Sequence, residues 1–126
     1  MTDSRRSVSI VVPVYNEEES LRPLHAEITA AMEKTPAVAA YEIILVDDGS
    51  RDRSVEVCRE LHAADPAHVR VIILRRNFGQ TAAMAAGFDA APAQKVGASA
   101  NKNINAVAGG LGLEPFAVTG ANVVER

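Results

Sequence analysis

Three short runs of apolar residues are separated by stretches in which apolar residues recur every three or four positions. Such runs, rich in β-branched residues, are typical of strands buried on both faces of a sheet. The runs are Val8–Val14, Ile43–Val46 and Val69–Leu74. The intervening pattern predicts helices that follow Ser20, that run from about Arg53 to Ala64, and that run from Thr81 to Ala91. This alternation predicts an α/β fold with three parallel strands joined by right-handed crossovers.

The same spacing predicts which side of each helix faces the sheet. In the first helix the inward residues are Leu21, Leu24, Ile28 and either Ala31 or Met32. In the second they are Val55, Cys58 and Leu61. Cys58 is therefore interpreted as a small buried hydrophobe. Alanines in the third helix allow it to approach the sheet or a ligand closely. Pro13 has no N–H, so strand pairing should weaken near the end of the first run.

Composition narrows the class of protein. The chain has 126 residues, 13 basic and 16 acidic side chains, and a net charge of −3. This mixed balance gives no electrostatic footprint for nucleic acid. The polar start MTDSRRS is unlike a secretory signal, and no apolar run approaches the ~20 residues of a membrane span. With a single cysteine and thus no internal disulfide, we expect a cytoplasmic protein.

Two adjacent carboxylates, Asp47 and Asp48, follow the second strand directly. Open α/β sheets bind ligands at the carboxyl ends of their strands, so these acids lie where a site is expected. The alternative is structural, because Asp-Gly is a common turn and Ser50 or Asp52 can cap the next helix. Since adjacent side chains point to opposite sides of a strand, the two aspartates should not share one role.

The loop after the first strand lies at the same predicted edge of the sheet. Pro13, Tyr15 and Glu17 offer a flat surface and hydrogen-bond acceptors that suit a nucleotide. The alternative is a turn whose acidic residues are favoured by the dipole of the helix that follows. Taken alone, the pattern of this loop favours the structural interpretation, a turn. Considered together with the other two loops, it favours nucleotide binding.

The loop after the third strand also has two interpretations. Arg75 and Arg76 could neutralise phosphate beside a helix N-terminus, or could lie in a solvated turn in which Gly79 adopts positive φ. The three histidines show no spacing typical of metal ligands and are expected at the surface. The chain also lacks the G-x-G-x-x-G and GxxxxGK[ST] motifs of dinucleotide and P-loop sites.

The character of the chain changes after Pro92. Residues 93–126 hold five of the eight glycines and few charged residues, which favours loop or partial disorder. Within them, 116–119 and 122–124 are candidate short strands. We interpret residues 93–126 as an irregular, divergent tail, for which a frameshift or truncation is a hypothesis that the encoding DNA would test.

Three segments together resemble the family 2 glycosyltransferases of the GT-A fold. They are closest to the branch that moves a sugar from a nucleotide onto a polyprenyl or dolichol phosphate. The segments are SIVVPVYNEEESL (9–21), EIILVDDGSRDRS (42–54) and VRVIILRRNFGQTAAMAAGFDAA (69–91). The resemblance covers residues 8–91 and ends near Pro92.

The resemblance implies that residues 1–92 form the nucleotide-sugar-binding half of a GT-A, Rossmann-like domain. It assigns the nucleotide to Pro13, Tyr15, Asn16, Glu17, Asp47, Asp48, Gly79 and Gln80. Of the two aspartates, the first would contact the base or ribose and the second would lie near the diphosphate and its metal. The donor would be a UDP- or GDP-sugar and the acceptor a lipid phosphate at the cytoplasmic membrane face. Transfer would proceed by single displacement with inversion, assisted by Mg²⁺ or Mn²⁺.

Two parts expected from the resemblance are missing. The chain has no Asp-x-Asp metal motif, which leaves Asp48 as the sole metal-ligand candidate, and no acceptor-binding half. We therefore expect nucleotide binding with little or no transfer by this chain alone, and the alternative is a non-catalytic remnant or interaction module. Without a fourth strand, the first strand would be an apolar edge prone to self-association, unless the tail supplies a substitute.

Overall fold

Strand β1 (Arg6–Val14) lies inside a five-stranded sheet and has a neighbouring strand on each side. The computed structural model describes residues 6–36, 38–90, 101–103 and 122–125. The other strands are β2 (Val38–Asp47), β3 (Val69–Ile73), β4 (Asn101–Asn103) and β5 (Asn122–Glu125). The helices are α1 (Leu21–Glu33), α2 (Ser54–Ala64) and α3 (Gln80–Ala90).

The strand order is β3-β2-β1-β5-β4, and β1, β2 and β3 run parallel. The predicted α/β fold with three parallel strands and alternating helices is therefore confirmed. The largest boundary error concerns β2, which begins at Val38 instead of near Ile43. Its first residues pair with the start of β1, although Ala39 and Ala40 are exposed, so backbone pairing extends the strand beyond its apolar run.

Alternate residues of β1 face two different layers of helices. Val8, Ile10 and Val12 pack with α1 and α2 in one apolar cluster. Val11 belongs to a second cluster, with Ala83 of α3, on the opposite face. Burying each aliphatic side chain contributes about 1.5–3 kcal/mol. Coverage of both faces explains why the strand is a continuous apolar run.

Helix α2 buries a face slightly different from the predicted one. Val57, Cys58 and Leu61 are buried, whereas Val55 is half-buried. The prediction of Val55 as an inward residue is wrong because Ser54 occupies the inward position of the first turn. Cys58 is buried as predicted, and burial, with smaller contributions from nearby aspartates, raises the pKa of its thiol to about 12.

Gly87 marks a close approach of α3 to the sheet. A Cβ at this position would collide with Val11 and would lie 3.1 Å from Cγ2 of Val46. The predicted close approach is thus made by Gly87 together with the buried Ala83, and α3 can lie directly on β1 and β2.

The C-terminal part of the chain supplies a neighbour for β1. Strand β5 pairs antiparallel with Val8–Val11, so the predicted strand at 122–124 is confirmed, and so is the substitute-strand alternative. The expectation of self-association assumed that one edge of β1 is exposed. Because β5 covers that edge along Val8–Val11, this part of β1 offers no free edge for another copy of the chain. The other predicted strand, at 116–119, lies outside the described residues. Pairing with β5 ends before Pro13, whereas pairing with β2 continues to Val14.

Two histidines are less exposed than the sequence predicts. His25 of α1 and His68, just before β3, are half-buried, and each forms a hydrogen bond with one carboxylate oxygen of Asp65, at 3.1 and 2.9 Å. The His68 ring also stacks on Tyr41, with centroids 4.1 Å apart. This cluster ties α1 to the α2–β3 turn. His62 is exposed, as predicted.

None of the helices within the described ranges has both the length and the apolar character needed to cross a bilayer.

Candidate functional site

The carboxyl ends of β1, β2 and β3 meet around a pocket of about 470 Å³. Its lining comes from the loops that follow these three strands, as expected for a parallel sheet. The lining residues are Pro13, Val14, Tyr15, Glu17, Asp48, Asn77, Gly79 and Gln80. Six of the eight residues predicted from the sequence are among them, and the exceptions are Asn16 and Asp47.

The first loop (residues 15–20) connects β1 to α1 and forms one wall of the pocket. Tyr15 is 42% exposed and lines the pocket beside Glu17. Asn16 has φ of 51°, which is uncommon for a residue other than glycine. Its side-chain Oδ1 accepts a hydrogen bond from the backbone N–H of Arg51 at 2.8 Å. Asn16 therefore shapes the loop and does not line the pocket.

Asp47 is fully buried at the end of β2. Its Oδ2 accepts hydrogen bonds from the backbone N–H groups of Gly49 at 3.1 Å and Ser50 at 3.0 Å. Its Oδ1 is buried and has no hydrogen-bond partner among the described residues. The side chain stabilises the turn that leads to α2, and its proposed contact with a base or ribose stays a prediction.

Asp48 points to a different set of partners. Its Oδ1 accepts a hydrogen bond from the N–H of Phe78 at 2.8 Å, and its Oδ2 accepts one from the N–H of Gly79 at 3.0 Å. The residue is 3% exposed yet contributes to the pocket lining. The two aspartates thus have different partners, in line with their alternation along the strand.

Two glycines with positive φ shape the wall opposite the first loop. Gly49 has φ of 75° and lies so close to the backbone of Arg76 and Asn77 that a Cβ would collide with it. Gly79 has φ of 99° and would place a Cβ in open space. Glycine is favoured at both positions by the backbone conformation, and at Gly49 also by the lack of room.

The arginines of the β3–α3 loop are not among the lining residues. The Arg76 guanidinium lies over the ring of Phe78, 4.8 Å from its centroid, and Phe78 is 49% exposed. Such stacking on an exposed ring is weakly stabilising. Arg75 and Arg76 thus fit the solvated-turn interpretation better than a direct contact inside the pocket.

The electrostatics of the first loop are set by two carboxyls. Burial, and secondarily the charge of Asp52, raise the pKa of Glu17. Burial also opposes ionisation of Asp52, but hydrogen bonds from Ser54 and the Glu18 backbone outweigh it and lower its pKa. Of these two carboxyls, Glu17 is therefore the easier one to protonate, and it is the one that lines the pocket.

Sequence reasoning missed Val14 and Asn77 in the lining, and three polar residues behind it. Because Val14 ends an apolar run, the sequence predicts it to be a core residue. Asn77 follows a strand and is predicted to be an ordinary turn residue. The three residues behind the lining are Ser50, Asp52 and Ser54, whose side chains accept hydrogen bonds from the first loop. Their alternation in GSRDRS is the available signal, but the sequence alone suggests only that Ser50 or Asp52 caps the next helix, and it suggests no role for Ser54.

A metal centre is not complete in the described part of the chain. There, no three Asp, Glu, His or Cys side chains come together in a way that could hold a metal ion. Both oxygens of Asp48 already accept backbone N–H groups, which leaves this carboxylate less able to bind a metal ion. The donor set does not fit a resident metal by itself.

Several bacterial sugar transferases are similar to this chain. The undecaprenyl-phosphate 4-deoxy-4-formamido-L-arabinose transferase of Pseudomonas fluorescens (strain SBW25) is 52% identical over 82 residues, which cover 65% of this chain and 24% of that protein. The protein of the same name from Pectobacterium atrosepticum is 47% identical over 91 residues, covering 72% and 27%. Dodecaprenyl-phosphate galacturonate synthase of Rhizobium johnstonii is 46% identical over 84 residues, covering 67% and 24%.

The chain spans about a quarter of the length of these relatives. A family model described as Glycosyl transferase family 2 matches residues 9–96, which is more than two thirds of the chain and includes all three loops of the pocket. The chain therefore belongs to glycosyl transferase family 2.

Proposed function

We propose that this chain forms the donor-binding side of a glycosyltransferase and binds a nucleoside diphosphate sugar, with UDP or GDP as the nucleotide. The observation that carries the proposal is the pocket at the carboxyl ends of three parallel strands. Residues from all three predicted loops line it, including Tyr15, Asp48 and Gly79. Open α/β sheets bind their ligands at this edge.

Each wall of the pocket suits a different part of such a donor. The exposed ring of Tyr15 offers a flat surface for a base, and the Glu17 carboxyl can accept hydrogen bonds from ring N–H or ribose hydroxyl groups. On the other side, Gly79 and Gln80 bring the N-terminus of α3 to the pocket. Helix N-termini bind phosphate through free N–H groups and the helix dipole.

The acceptor class follows from the relatives, whose names specify undecaprenyl or dodecaprenyl phosphate. In the proposed reaction a phosphate oxygen of the acceptor attacks the anomeric carbon of the sugar. The bond from that carbon to the diphosphate breaks, the nucleoside diphosphate leaves, and the configuration inverts. The nucleophile is already an anion, so no strong base is required. A polyprenyl acceptor would bring the protein to a membrane surface, on the cytoplasmic side in our proposal.

We also propose that this chain transfers little or no sugar by itself. It has no Asp-x-Asp motif, and the described residues form no metal site. A diphosphate leaving group needs its growing charge neutralised, usually by a divalent ion. Mg²⁺ or Mn²⁺ at Asp48 would depend on the diphosphate for most of its ligands.

Isothermal titration with UDP, GDP and their sugars, with and without Mg²⁺ or Mn²⁺, tests this function. We expect one nucleotide series to bind, and Tyr15→Ala to weaken binding about tenfold, as expected for a lost stacking platform. Ile73→Ala is the matched control, because Ile73 is 41% exposed and lies outside the pocket lining. If the folded wild-type chain binds none of these nucleotides or nucleotide sugars, the proposal is overturned, and the alternative of a non-catalytic remnant or interaction module stands.

A further inference from the structure

We propose that Ser50, Asp52 and Ser54 are positioning residues that set the first loop for nucleotide binding, an inference that rests on the proposed function. Three successive backbone N–H groups of that loop each donate to one of these side chains. The bonds are Asn16 N to Ser50 Oγ at 2.9 Å, Glu17 N to Ser54 Oγ at 2.8 Å, and Glu18 N to Asp52 Oδ2 at 3.3 Å.

The attachment also runs in the opposite direction. The backbone N–H of Arg51 donates to Oδ1 of Asn16 at 2.8 Å, so the two segments exchange hydrogen bonds. Asn16 is held at positive φ between these contacts. Asparagine adopts positive φ more readily than other residues apart from glycine, and contacts from outside the loop stabilise this conformation further. The segment at 50–54 supplies them.

Ser54 stands at the centre of this arrangement. It is fully buried and begins α2, so its position is fixed by the helix and the core. Asp52 accepts the N–H of Ser54 through Oδ1, at 2.8 Å, and the N–H of Glu18 through Oδ2. The start of α2 and the first loop are therefore joined through one carboxylate.

The consequence concerns the two side chains that line the pocket on this wall. Tyr15 and Glu17 flank Asn16, and the N–H of Glu17 is itself one of the bonded groups. When these backbone groups are held in place, the backbone positions from which the Tyr15 and Glu17 side chains extend are held as well. A loop that is ordered before the ligand arrives binds more tightly, because less conformational entropy is lost on binding. Asp48 in the same segment holds the opposite wall, so residues 48–54 organise both walls.

Two measurements test the inference on four variants, and melting temperature together with a fifth variant, Ser50→Ala, checks the folding. Ser54→Ala removes the acceptor of the Glu17 N–H, Ser54→Thr keeps a hydroxyl, Asp52→Asn weakens both bonds of the carboxylate, and Arg53→Ala is the control. Arg53 lies between these residues, is exposed, and pairs with Glu56. Hydrogen exchange of the amides of residues 16–18 reports the loop, and the Kd for UDP and GDP reports binding.

We expect Ser54→Ala and Asp52→Asn to raise amide exchange at residues 16–18 and to weaken nucleotide binding about three- to thirtyfold, with Ser54→Thr and Arg53→Ala close to wild type. The melting temperature of each variant shows whether faster exchange reflects general unfolding. Ser50→Ala is a milder variant, because Ser50 is only half-buried and accepts one N–H of the loop, that of Asn16. Unchanged exchange at residues 16–18 in both variants would overturn the positioning role, whether or not nucleotide binds. Faster exchange with unchanged affinity would overturn its link to binding, and absence of binding in wild type would count against the proposed function alone.

Discussion

Asp48 accepts the backbone N–H of Gly79 at 3.0 Å, across a separation of 31 residues, and accepts that of Phe78 at 2.8 Å through its other oxygen. The carboxylate is 3% exposed, so water competes little for these bonds. Together with Gly49, which lies against the backbone of Arg76 and Asn77, it docks the β3–α3 loop on the end of β2. One wall of the pocket thus depends on the Asp48 carboxylate, whose two oxygens already have hydrogen-bond donors within the protein and need no ligand to supply them.

Asp48→Asn should therefore destabilise the fold in the absence of any nucleotide or metal. Asparagine offers one acceptor oxygen, so its NH₂ group would face one of the two N–H donors. Loss of one hydrogen bond to a charged group and an unsatisfied donor together cost about 2–4 kcal/mol of unfolding free energy. Urea unfolding of the wild type and the variant measures this.

Glu19→Gln is the control for Asp48→Asn, because Glu19 is exposed in the first loop. It removes the same charge from a neighbouring part of the chain and should change the unfolding free energy by less than about 0.5 kcal/mol. Equal effects of the two variants would show that Asp48 does not hold the loop.

The adjacent aspartates show how far the sequence could be interpreted. Alternation along a strand predicts that Asp47 and Asp48 have different surroundings, and their hydrogen bonds differ accordingly. The sequence could not predict that the partners of Asp48 are backbone groups some thirty residues away, because N–H groups carry no residue identity. The same limit hid the role of Ser54, whose partner is the N–H of Glu17.

Gly87→Ala should destabilise the protein, although alanine is normally the better helix former. The added Cβ would collide with Val11 and crowd Val46, both of which are fully buried. Overpacking costs about 1–3 kcal/mol, which exceeds the gain of up to about 1 kcal/mol from helix propensity. Thermal unfolding followed by circular dichroism should show a lower melting temperature.

A second substitution separates this clash from other causes. Val11→Ala removes the methyl groups that the new Cβ would meet, so it should cost less in the Gly87→Ala background than in the wild type. A double-mutant cycle measures this coupling. Strictly additive effects, or a stabilising Gly87→Ala, would contradict the close approach of α3 to the sheet.

The predicted strand bounds are accurate where the apolar run is long, as in β1. They are inaccurate where backbone pairing, and not the side-chain pattern, determines how far a strand extends. Val38 begins β2 although its neighbours Ala39 and Ala40 are exposed, because the start of β1 pairs with this segment. Residues 122–124 are a correct but weak strand prediction, because β5 has only two apolar residues. Its place beside Val8–Val11 follows from pairing with an otherwise open strand edge, which the sequence pattern does not specify.

The cluster around Asp65 should contribute to stability at neutral pH. Partial burial would raise the pKa of this carboxyl, but hydrogen bonds from His25 and His68 outweigh burial and lower it. A carboxyl with a lowered pKa in the fold stabilises above its ordinary value, and this stabilisation is lost as the pH falls through the lowered value. Asp65→Asn should thus lower the melting temperature at pH 6–7 by more than at pH 2–3.

Asp89→Asn provides the comparison for Asp65→Asn, since Asp89 is exposed on α3. As an exposed substitution outside the Asp65 cluster, it should change the melting temperature little at pH 6–7. A difference between wild type and Asp65→Asn that stays constant from pH 2 to pH 7 would show that the carboxylate charge contributes nothing through its two histidine partners.

Glu17 should show the opposite dependence on pH. Burial and the charge of Asp52 raise its pKa, so the fold favours its neutral form and stability decreases as the pH rises through the raised value. Because Glu17 is exposed and solvent screens its charge, Glu17→Gln should raise the melting temperature only slightly at pH 7. It should leave the melting temperature unchanged below about pH 3, where the carboxyl is protonated in both states. Glu19→Gln, which removes a charge from an exposed position of the same loop, is the control. A Glu17→Gln variant less stable than wild type at pH 7 would mean that its carboxylate is held by favourable contacts, which is the reverse of what burial beside Asp52 implies.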